Sequence, residues 1–495
     1  MNLILLLSIP LLTALLILAV SSAIQVRRLA LVGSVLQLVA ALLLFGQYRA
    51  DMKDHSGSPL LYEQRFSWYA DWNIGWHAGV DGISVAMILL TAFVVVAGVL
   101  VSWRVTKMPK SFFFLLMLLS IGAYGFFISL DLFTMFFFLE VAVIPKYLLI
   151  GIWGSGRKEY SANKLALMLM GGSALILVGM LALYFHFPAG ERTFDLSVMA
   201  TRDIPADTQR WIFPFLFIGF GVFTALFPFH TWVPDGHSSA PTAGSMFLAG
   251  ISMKLGGYGI LRAATWILPD GAMAYGDLMI ILASIGIIYG AFATMMQTDL
   301  KYINAYSSVS HTGFVILGIG MLTKTAVTGA VFQMVSHGLM TALFFAVIGM
   351  IYDRTHTRMV AEMGGLMKVM PFASAVMFIA GLASLGLPGL SGFVAEMTVF
   401  MGSWERQGTL YKVATILACA SIVVTAVYVL RAIGSTVMGP LDEKKYGGLE
   451  DAAWYERWAA LILVIGILAM GMLPFWLNEL VAPGADWLLQ RISVR

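Results

Sequence analysis

The chain has 495 residues, of which 59% are hydrophobic and only 12% charged, and its formal net charge is +3. A soluble domain carries roughly 25% charged residues, so this composition excludes a soluble protein with an ordinary charged shell. Most of the surface is expected to face lipid, and the near-neutral charge does not indicate a nucleic-acid partner. The single cysteine, Cys419, cannot by itself form a disulfide, a thiolate zinc site or an iron–sulfur cluster. Any redox chemistry is therefore expected on another chain.

Long apolar runs predict an all-α polytopic membrane protein. A helix that spans a bilayer needs about 20 mostly apolar residues, and runs of that kind give about fourteen transmembrane helices. The predicted helices, numbered one to fourteen, lie at 2–20, 28–46, 82–103, 111–129, 131–152, 163–185, 211–230, 241–262, 276–297, 303–322, 326–351, 370–397, 412–437 and 457–480.

Basic residues in short loops predict the orientation, because such residues concentrate on the cytoplasmic side of a membrane. They fall in the loops after predicted helices one, three, five, eleven and thirteen, which all lie on one side. These residues are Arg27, Arg28, Arg104, Lys107, Lys110, Arg157, Lys158, Lys164, Arg354, Arg358, Lys444 and Lys445. Both termini are then expected on the opposite, periplasmic side. The bias is moderate, since Arg192, Arg202 and Arg210 lie on that opposite side in a longer loop.

Two predicted helices contain breakers within apolar sequence. Helix seven runs into Pro228 and Pro234, and helix twelve contains the segment GLPGLSG at 386–392. Such breaks survive in a membrane only where protein or a wet cavity satisfies the backbone. Interrupted helices at matching places in two halves are typical of inverted-repeat transporters. The pattern predicts two inverted five-helix repeats, helices four to eight and nine to thirteen; two ordinary proline kinks are the alternative.

Four charged residues stand out within the predicted helices, where a charge at mid-bilayer costs at least a few kcal/mol. They are Glu140 and Lys146 in helix five, Lys254 in helix eight and Glu396 in helix twelve. Burial disfavours the charged form of both acids and amines, so a row of them can pass a proton along. The alternatives are buried structural ion pairs and, for Lys146, a side chain that reaches the membrane interface.

Two histidines add titratable groups to this set. His311 lies in predicted helix ten and His337 in helix eleven. Histidine changes charge near neutral pH, which suits a proton relay. A satisfied packing residue is the alternative for each. Polar neighbours that could hold water favour the relay, namely Ser307, Ser308, Ser310, Thr312, Gln333 and Ser336.

Several motifs together resemble the antiporter-like subunits of respiratory complex I, NADH:quinone oxidoreductase, and of the related multi-subunit Na+/H+ antiporters. The resemblance covers most of the chain and is strongest from about residue 80 to residue 400. The motifs are GVDGIS at 79–84, FFFLE with IPKYLLIGIWG within 136–154, PFHTWVPDGHSSAPTAGS at 228–245, LAGISMKLGGYGILR at 248–262, QTDLKYINAYSSVSHTGF at 297–314 and GLPGLSGFVAE at 386–396.

The resemblance implies roles for individual residues. Glu140 matches the essential carboxylate of the first half-channel, and Lys254 matches the central relay lysine. His311 and His337 match positions on the hydrophilic axis. Glu396 resembles the glutamate that chain M of complex I has at the broken helix, where chains L and N have lysine.

One position departs from the family pattern. The family usually has a lysine in helix seven, 31 residues before the lysine of helix eight, and Phe223 occupies that position here. The family also usually has an uncharged residue where this chain has Lys146. The hypothesis is that Lys146 replaces the missing amine as the charge partner of Glu140, although six residues along a helix separate two side chains by about 240°.

These observations predict helices one to three at 1–110, the two repeats at 111–262 and 276–437, and helix fourteen with a tail at 438–495. The implied function is proton translocation in the membrane arm of complex I, with NADH, FMN, iron–sulfur clusters and quinone on other subunits. The implied partners are the neighbouring chains L and N in a bacterial plasma membrane. A subunit of a cation/proton antiporter complex and a channel-inactive membrane scaffold are the alternatives.

Overall fold

Helices dominate the fold, as expected of a chain whose apolar runs must satisfy their backbone groups internally when they meet lipid. The structure, a computed structural model, describes residues 2–53 and 57–493. Nine helices in these ranges are long and apolar enough to cross a membrane. The predicted all-α polytopic class is confirmed, while the count of fourteen spanning helices stays a prediction.

The described residues of the first half of the chain form eleven α-helices and one β-hairpin. The helices are α1 Ile4–Ala19, α2 Ala23–Lys53, α3 Gly82–Val101, α4 Pro109–Ile128, α5 Leu132–Trp153, α6 Lys158–His186, α7 Leu196–Thr201, α8 Ala206–Thr224, α9 Trp232–Ser239, α10 Thr242–Phe247 and α11 Met253–Gly259. Two π-helical segments, Leu248–Ser252 and Ile260–Thr265, flank α11 and make it continuous with α10.

In the part that the structure describes, the second half of the chain contains nine α-helices and no β-strand. Its helices are α12 Pro269–Met295, α13 Leu300–Gly320, α14 Lys324–Thr355, α15 Pro371–Ser384, α16 Ser391–Glu405, α17 Thr409–Val437, α18 Glu443–Tyr446, α19 Trp454–Met472 and α20 Phe475–Ser493. The most apolar stretches of α3 and α14 are almost entirely enclosed by other helices, so these two helices form the centre of the bundle.

A β-hairpin lies outside the helices and was not predicted. Strand β1, Leu61–Tyr69, pairs antiparallel with β2, Ile74–Val80. Asn73 provides the left-handed turn residue, with φ 48°. Aromatic residues on β1 and β2 suit strand geometry, but the segment lies between two apolar runs where only a polar loop was expected.

The hairpin is attached to the loops at one end of the helices. The Leu130 amide donates to the His77 carbonyl at 2.7 Å, and the Leu196 amide donates to the Leu130 carbonyl at 2.9 Å. The His77 ring lies between two carboxylates, with Nε2 2.8 Å from Glu63 and Nδ1 3.0 Å from Asp195. Backbone pairing and the contacts of His77 with two carboxylates therefore hold β2 against the turn between α4 and α5.

Both predicted helix breaks are present. Predicted helix seven is divided into α8 and α9, with Ala225 in the left-handed region at φ 66°. Predicted helix twelve is divided into α15 and α16, and Gly386 adopts φ 72° between them. In each case a residue with positive φ ends the first half-helix in a way that a continuous helix does not allow.

The two predicted repeats show corresponding packing. The second helix of each begins at an aspartate that caps the helix, Asp131 for α5 and Asp299 for α13. Each aspartate also forms an isolated backbone bridge, Asp131 with Asp195 and Asp299 with Met359, in the loop before the broken helix. This correspondence agrees with repeats at 111–262 and 276–437, and the inverted relation and the domain boundaries stay predictions.

The C-terminal prediction of one helix over 457–480 is wrong. The chain breaks between α19 and α20 at Leu473 and Pro474, because proline cannot donate within a continuing helix. The predicted tail is instead part of α20, which packs on the start of α3. A Cβ on Gly82 would lie 1.6 Å from the Leu480 carbonyl oxygen, so the contact requires glycine there.

We predict that Asp131→Asn stabilises the docked hairpin increasingly as pH rises. Burial raises the pKa of Asp131 to about 7. The negative charge of Asp195 contributes to this rise in pKa, and the hydrogen bond from the Thr134 amide opposes it. The folded state therefore keeps a proton that the unfolded chain releases near pH ~3.9, and the wild type loses stability as pH rises toward 7. Asparagine still caps the helix but carries no charge.

The measurement is amide hydrogen exchange of Leu130 and Leu196 from pH 5 to pH 8. Protection of the variant relative to the wild type should grow up to about pH 7 and then level off. Asp207→Asn is the control, because the Asp207 side chain is 97% exposed. Equal protection of wild type and Asp131→Asn at every pH would contradict the prediction.

Candidate functional site

Helix α5 carries the first two candidate residues. Glu140 is half-buried and accepts a hydrogen bond from the Ser173 hydroxyl of α6. Lys146 follows Pro145 and is only 2% exposed, so the alternative that its side chain reaches the interface is wrong. Its Nζ has no hydrogen-bond partner among the described residues.

The Lys146 amine occupies the space beside the position where the family has its helix-seven lysine. Nζ of Lys146 lies 5.9 Å from the ring centroid of Phe223 in α8. A cation near an aromatic face gains modest electrostatic stabilisation. Glu140 also acts on the Lys146 ammonium through space, although no ion pair within 4.0 Å joins them in the described residues. The Lys146 amine thus lies beside the side chain at position 223, although it comes from a different helix.

Lys254 lies at the centre of the bundle and is 1% exposed. Its Nζ donates to the Ala249 carbonyl, which belongs to the π-helical segment before α11. A π segment shifts the i→i−4 bonding pattern and can free a carbonyl for another donor, as often happens at functional sites. Nζ also lies 2.6 Å from Nδ1 of His337 in α14. The amine therefore has one fixed acceptor and one titratable partner.

A second histidine and a carboxylate continue from His337. The rings of His337 and His311 are 5.7 Å apart between centroids. Nδ1 of His311 lies 3.4 Å from Oε1 of Glu396 and 3.3 Å from Nε2 of Gln333, and Nε2 lies 3.1 Å from the Ser384 hydroxyl. Lys254, His337, His311 and Glu396 consequently form one contiguous row across four helices.

The break between α15 and α16 makes room for the Glu396 carboxylate. A Cβ on Gly386 would lie 2.5 Å from Oε2 of Glu396. The same glycine has φ 72°, where a side chain is also strained. Glycine is thus required at 386 by both the backbone conformation and the space that the carboxylate occupies. The residue Glu396 is 4% exposed.

Two buried basic residues near the predicted cytoplasmic ends were not singled out in the sequence. Lys301 at the start of α13 donates to the Ala240 carbonyl at 2.7 Å. His237 in α9 is fully buried, stacks on Phe345 at 5.1 Å, and has no hydrogen-bond partner for either ring nitrogen in the described residues. It lies within the electrostatic influence of both Lys254 and Lys301. Both residues fall in quoted motifs, and a lysine beginning an apolar helix was the available signal.

A cavity of about 420 Å³ with a mixed polar and apolar lining reaches Lys301 from the same end of the helices. Arg104, Tyr352 and Asp353 line it together with Lys301. A cavity of this size with several polar partners is large enough to hold water. The arrangement places a cavity large enough for water next to Lys301, and the buried His237 ring lies near enough to Lys301 and Lys254 to be affected by the charge of each.

A buried ion pair supports the helix that carries Lys254. Arg262 pairs with Asp81 at the start of α3, and the two side chains are 1% and 0% exposed. Arg262 also donates to the Tyr258 hydroxyl at 3.3 Å, and that hydroxyl lies 2.7 Å from the Ser84 hydroxyl. Breaking such a pair leaves a buried charge, so this network holds the end of predicted helix eight in position.

Within residues 2–53 and 57–493, no three His, Cys, Asp or Glu side chains are grouped so that they could hold a metal ion. The arrangement that the described residues do offer is a row of acids, amines and imidazoles within apolar helices. Such groups can accept and donate protons without a bound metal or cofactor.

A family model described as "NADH:quinone oxidoreductase/Mrp antiporter, TM" matches residues 129–425, which is more than half of the chain. The chain belongs to this family. The predicted family resemblance is thereby confirmed, and the chain is a multi-pass membrane protein. The matched segment includes all six predicted site residues, although the match does not test their individual roles.

Curated relatives carry consistent names. NAD(P)H-quinone oxidoreductase chain 4-1 of Synechocystis sp. is 36% identical over 442 residues, covering 88% of this chain and 84% of that protein. NAD(P)H-quinone oxidoreductase chain 4 3 of Picosynechococcus sp. is 41% identical over 373 residues, covering 75% and 68%. The family members most relevant here are therefore named as subunits of a quinone-reducing complex.

Solved structures share the fold along the whole chain. A chain of respiratory complex I from Thermus thermophilus with bound NADH aligns with TM-score 0.90 and 26% identity over 99% of both chains. A chain of the Mrp complex from Dietzia sp. aligns with TM-score 0.86 over 99% and 98%, at 19% identity. The second likeness shows the fold alone.

Proposed function

We propose that the chain is a proton-translocating membrane-arm subunit of an NADH:quinone oxidoreductase, of the chain-M type. The observation that carries this proposal is the contiguous row Lys254–His337–His311–Glu396 inside apolar helices. Each step joins groups that exchange protons, and the neighbouring polar atoms lie 2.6–3.4 Å apart at its two ends. Family membership and the names of the relatives support it.

The geometry supports a stepwise mechanism along the row. The Lys254 ammonium can give a proton to Nδ1 of His337, and His311 can give one to the Glu396 carboxylate. Nε2 of His337 has no hydrogen-bond partner in the described residues and the two ring centroids lie 5.7 Å apart, so one bridging water would join the two rings. Moving one charge changes the field at the next group, so each transfer favours the following one.

Glu140 and Lys146 form the other half of the proposed path. Glu140 is half-buried and Lys146 is enclosed, so a change in the charge of one alters the cost of charging the other. Helix α8 lies between Lys146 and the Lys254 helix, with Thr224 against Gly256. Water beside Phe223 and Thr224 would connect the two halves.

Proton uptake is proposed at the cavity beside Lys301. From there a proton would pass by way of His237 to the Lys254–His337 pair, since His237 lies in the field of both lysines. Lys301 and His237 therefore join the six predicted residues as proposed members of the path. Asp81 and Arg262 hold the helix and do not transfer protons in this scheme.

The wider assignment rests on the family and stays part of the proposal. Redox chemistry is assigned to other subunits, which would bind NADH, FMN, iron–sulfur clusters and quinone. Chains L and N are the proposed neighbours in a bacterial plasma membrane, with both termini on the periplasmic side. An antiporter subunit without a redox partner remains the competing function, because the family description includes Mrp antiporters.

The first test is Glu140→Gln in the assembled complex. Glutamine keeps the shape and the hydrogen bond from Ser173 but carries no titratable proton. A positioned acid or base contributes roughly 10²–10⁴-fold to proton transfer, so NADH-driven acidification of inside-out vesicles should fall at least about tenfold. NADH oxidation should fall with it, and native electrophoresis confirms that the complex stays assembled.

Glu443→Gln is the matched control, because Glu443 is exposed in the loop helix α18. The control should acidify vesicles as the wild type does. Wild-type acidification and oxidation by an assembled Glu140→Gln complex would support the scaffold alternative and contradict the proposal. Acidification that needs no NADH and follows a sodium gradient would favour the antiporter alternative.

A second prediction concerns the relocated amine. Lys146→Leu should lower acidification strongly, because it removes the amine that lies beside Phe223 and interacts electrostatically with Glu140. The double variant Lys146→Leu/Phe223→Lys returns an amine to the same space from α8, since the two side chains already lie within 5.9 Å. It should recover a substantial part of the lost acidification.

The same vesicle assay measures all three variants, with Phe223→Lys alone included because it places two amines together. A double variant no more active than Lys146→Leu would contradict the idea that the position of the amine matters. Full activity of Lys146→Leu would show that the Lys146 amine is not needed.

A further inference from the structure

Two cavities on the outer side of the bundle meet at Arg49 near the end of α2. The first is an apolar slot of about 320 Å³ between α2, α3, α14 and α19. The second is a cavity of about 330 Å³ whose lining includes the charged residues Arg49, Lys53 and Glu479 together with Tyr48 and apolar residues. Arg49 lines both cavities, so together they form one elongated site with an apolar part and a charged end.

The apolar slot follows one face of α2. Leu42, Phe45 and Arg49 are spaced by three and four residues, which places them on the same side of a helix. Seven residues at 1.5 Å each give the slot a length of roughly 10 Å along α2. On α19, Gly466 and Ala469 are small and leave the slot open opposite α2.

The slot opens on the outer surface of the bundle, on the side of α14 away from His337. Outward residues of α2 next to it are exposed, with Val39 at 47% and Leu43 at 57%. An apolar cavity does not retain water, because water needs polar partners there. Within the bilayer the material available to fill such a slot is a hydrocarbon chain, whose contacts replace the dispersion energy that an empty slot would forfeit.

The charged end carries net positive charge. Arg49 and Lys53 contribute two cations against the single carboxylate of Glu479, which pairs with Arg49. The two paired side chains are 37% and 59% exposed, and an exposed pair of this kind contributes little. A phosphate can therefore take the place of Glu479 beside Arg49, and guanidinium groups bind phosphate in a two-pronged geometry.

We propose that this site binds a phospholipid of the bilayer with an anionic headgroup. One acyl chain would occupy the slot, and the phosphate would lie between Arg49 and Lys53. Phe45, whose ring packs edge-on against Trp476 at 5.5 Å and lies 5.7 Å from the Arg49 guanidinium, marks the boundary between the two parts.

The bound lipid would also support the helix that carries His337. Val335 and Leu339 of α14 line the slot, and both flank His337 in the sequence on the opposite face of the helix. The acyl chain would thus pack on the back of α14 while His337 faces Lys254. Any effect on transport rests on the proposed function, whereas lipid binding does not.

The test uses the assembled complex in bilayers of phosphatidylcholine that contain a small fraction of phosphatidylglycerol with a diazirine in one acyl chain. After illumination, mass spectrometry locates the label. We expect label on the peptides that contain Leu339 and Met470, which line the slot. Ala469→Phe should reduce that label at least about fivefold, since the added ring occupies the slot.

A second variant tests the headgroup without changing the slot. Arg49→Gln/Lys53→Gln should remove most of the preference for labelled phosphatidylglycerol over labelled phosphatidylcholine. Arg210→Gln is the control, because Arg210 lies on α8 and is 59% exposed. It should keep both the label and the preference.

Label elsewhere, label unchanged by Ala469→Phe, or a preference unchanged by the double substitution would each overturn the proposal. Co-purification of a quinone whose chain displaces the photolipid from these peptides would overturn it as well. Glu140→Gln should keep wild-type labelling, so loss of the proposed transport and loss of the proposed lipid site are separate outcomes.

Discussion

The arrangement of the central helices depends on the cost of burying the Lys254 amine among apolar helices, where the residue is 1% exposed. A charge inside the bilayer is tolerated only with polar partners nearby. The fold supplies them with a π-helical carbonyl at Ala249 and the ring of His337. The enclosed helix α14 carries His337, whose ring centroid lies 5.7 Å from that of His311. Gly386 leaves space for the Glu396 carboxylate, which lies next to His311. A structural requirement, to satisfy one buried amine, therefore produces a row of proton-exchanging groups.

In the first half of the chain, the buried amine lies on α5 and not on the broken helix α8. The family's helix-seven amine is absent at Phe223, yet the Lys146 amine lies beside that ring and within the influence of Glu140. A long side chain can cover the angle that separates two faces of one helix. The proposal that Lys146 replaces the helix-seven lysine rests on this proximity. Broken helices α8 and α15 lie next to these charges, where backbone irregularity is satisfied by protein.

Much of this arrangement was predictable from the sequence. Apolar runs gave the helices, and Pro228, Pro234 and the glycines near 386 gave the two breaks. The hairpin at 61–80 and the division at Pro474 were missed. A loop between apolar runs carries little periodic signal. Pro474 lies within an apolar run that is long enough to be taken for one helix. Lys301 and His237 were missed because their burial depends on how separate helices meet. The contact of Lys146 with Phe223 likewise depends on packing between two helices.

The most direct test of a connected proton path is a structure of the assembled complex at a resolution that locates water. The row is contiguous from Lys254 to Glu396, whereas α8 separates Lys146 from it. We expect ordered waters beside Phe223 and Thr224 that join the Lys146 amine to Lys254, and others that join Lys301 to His237. A dry, close-packed interior at both places in an actively pumping complex would contradict the account.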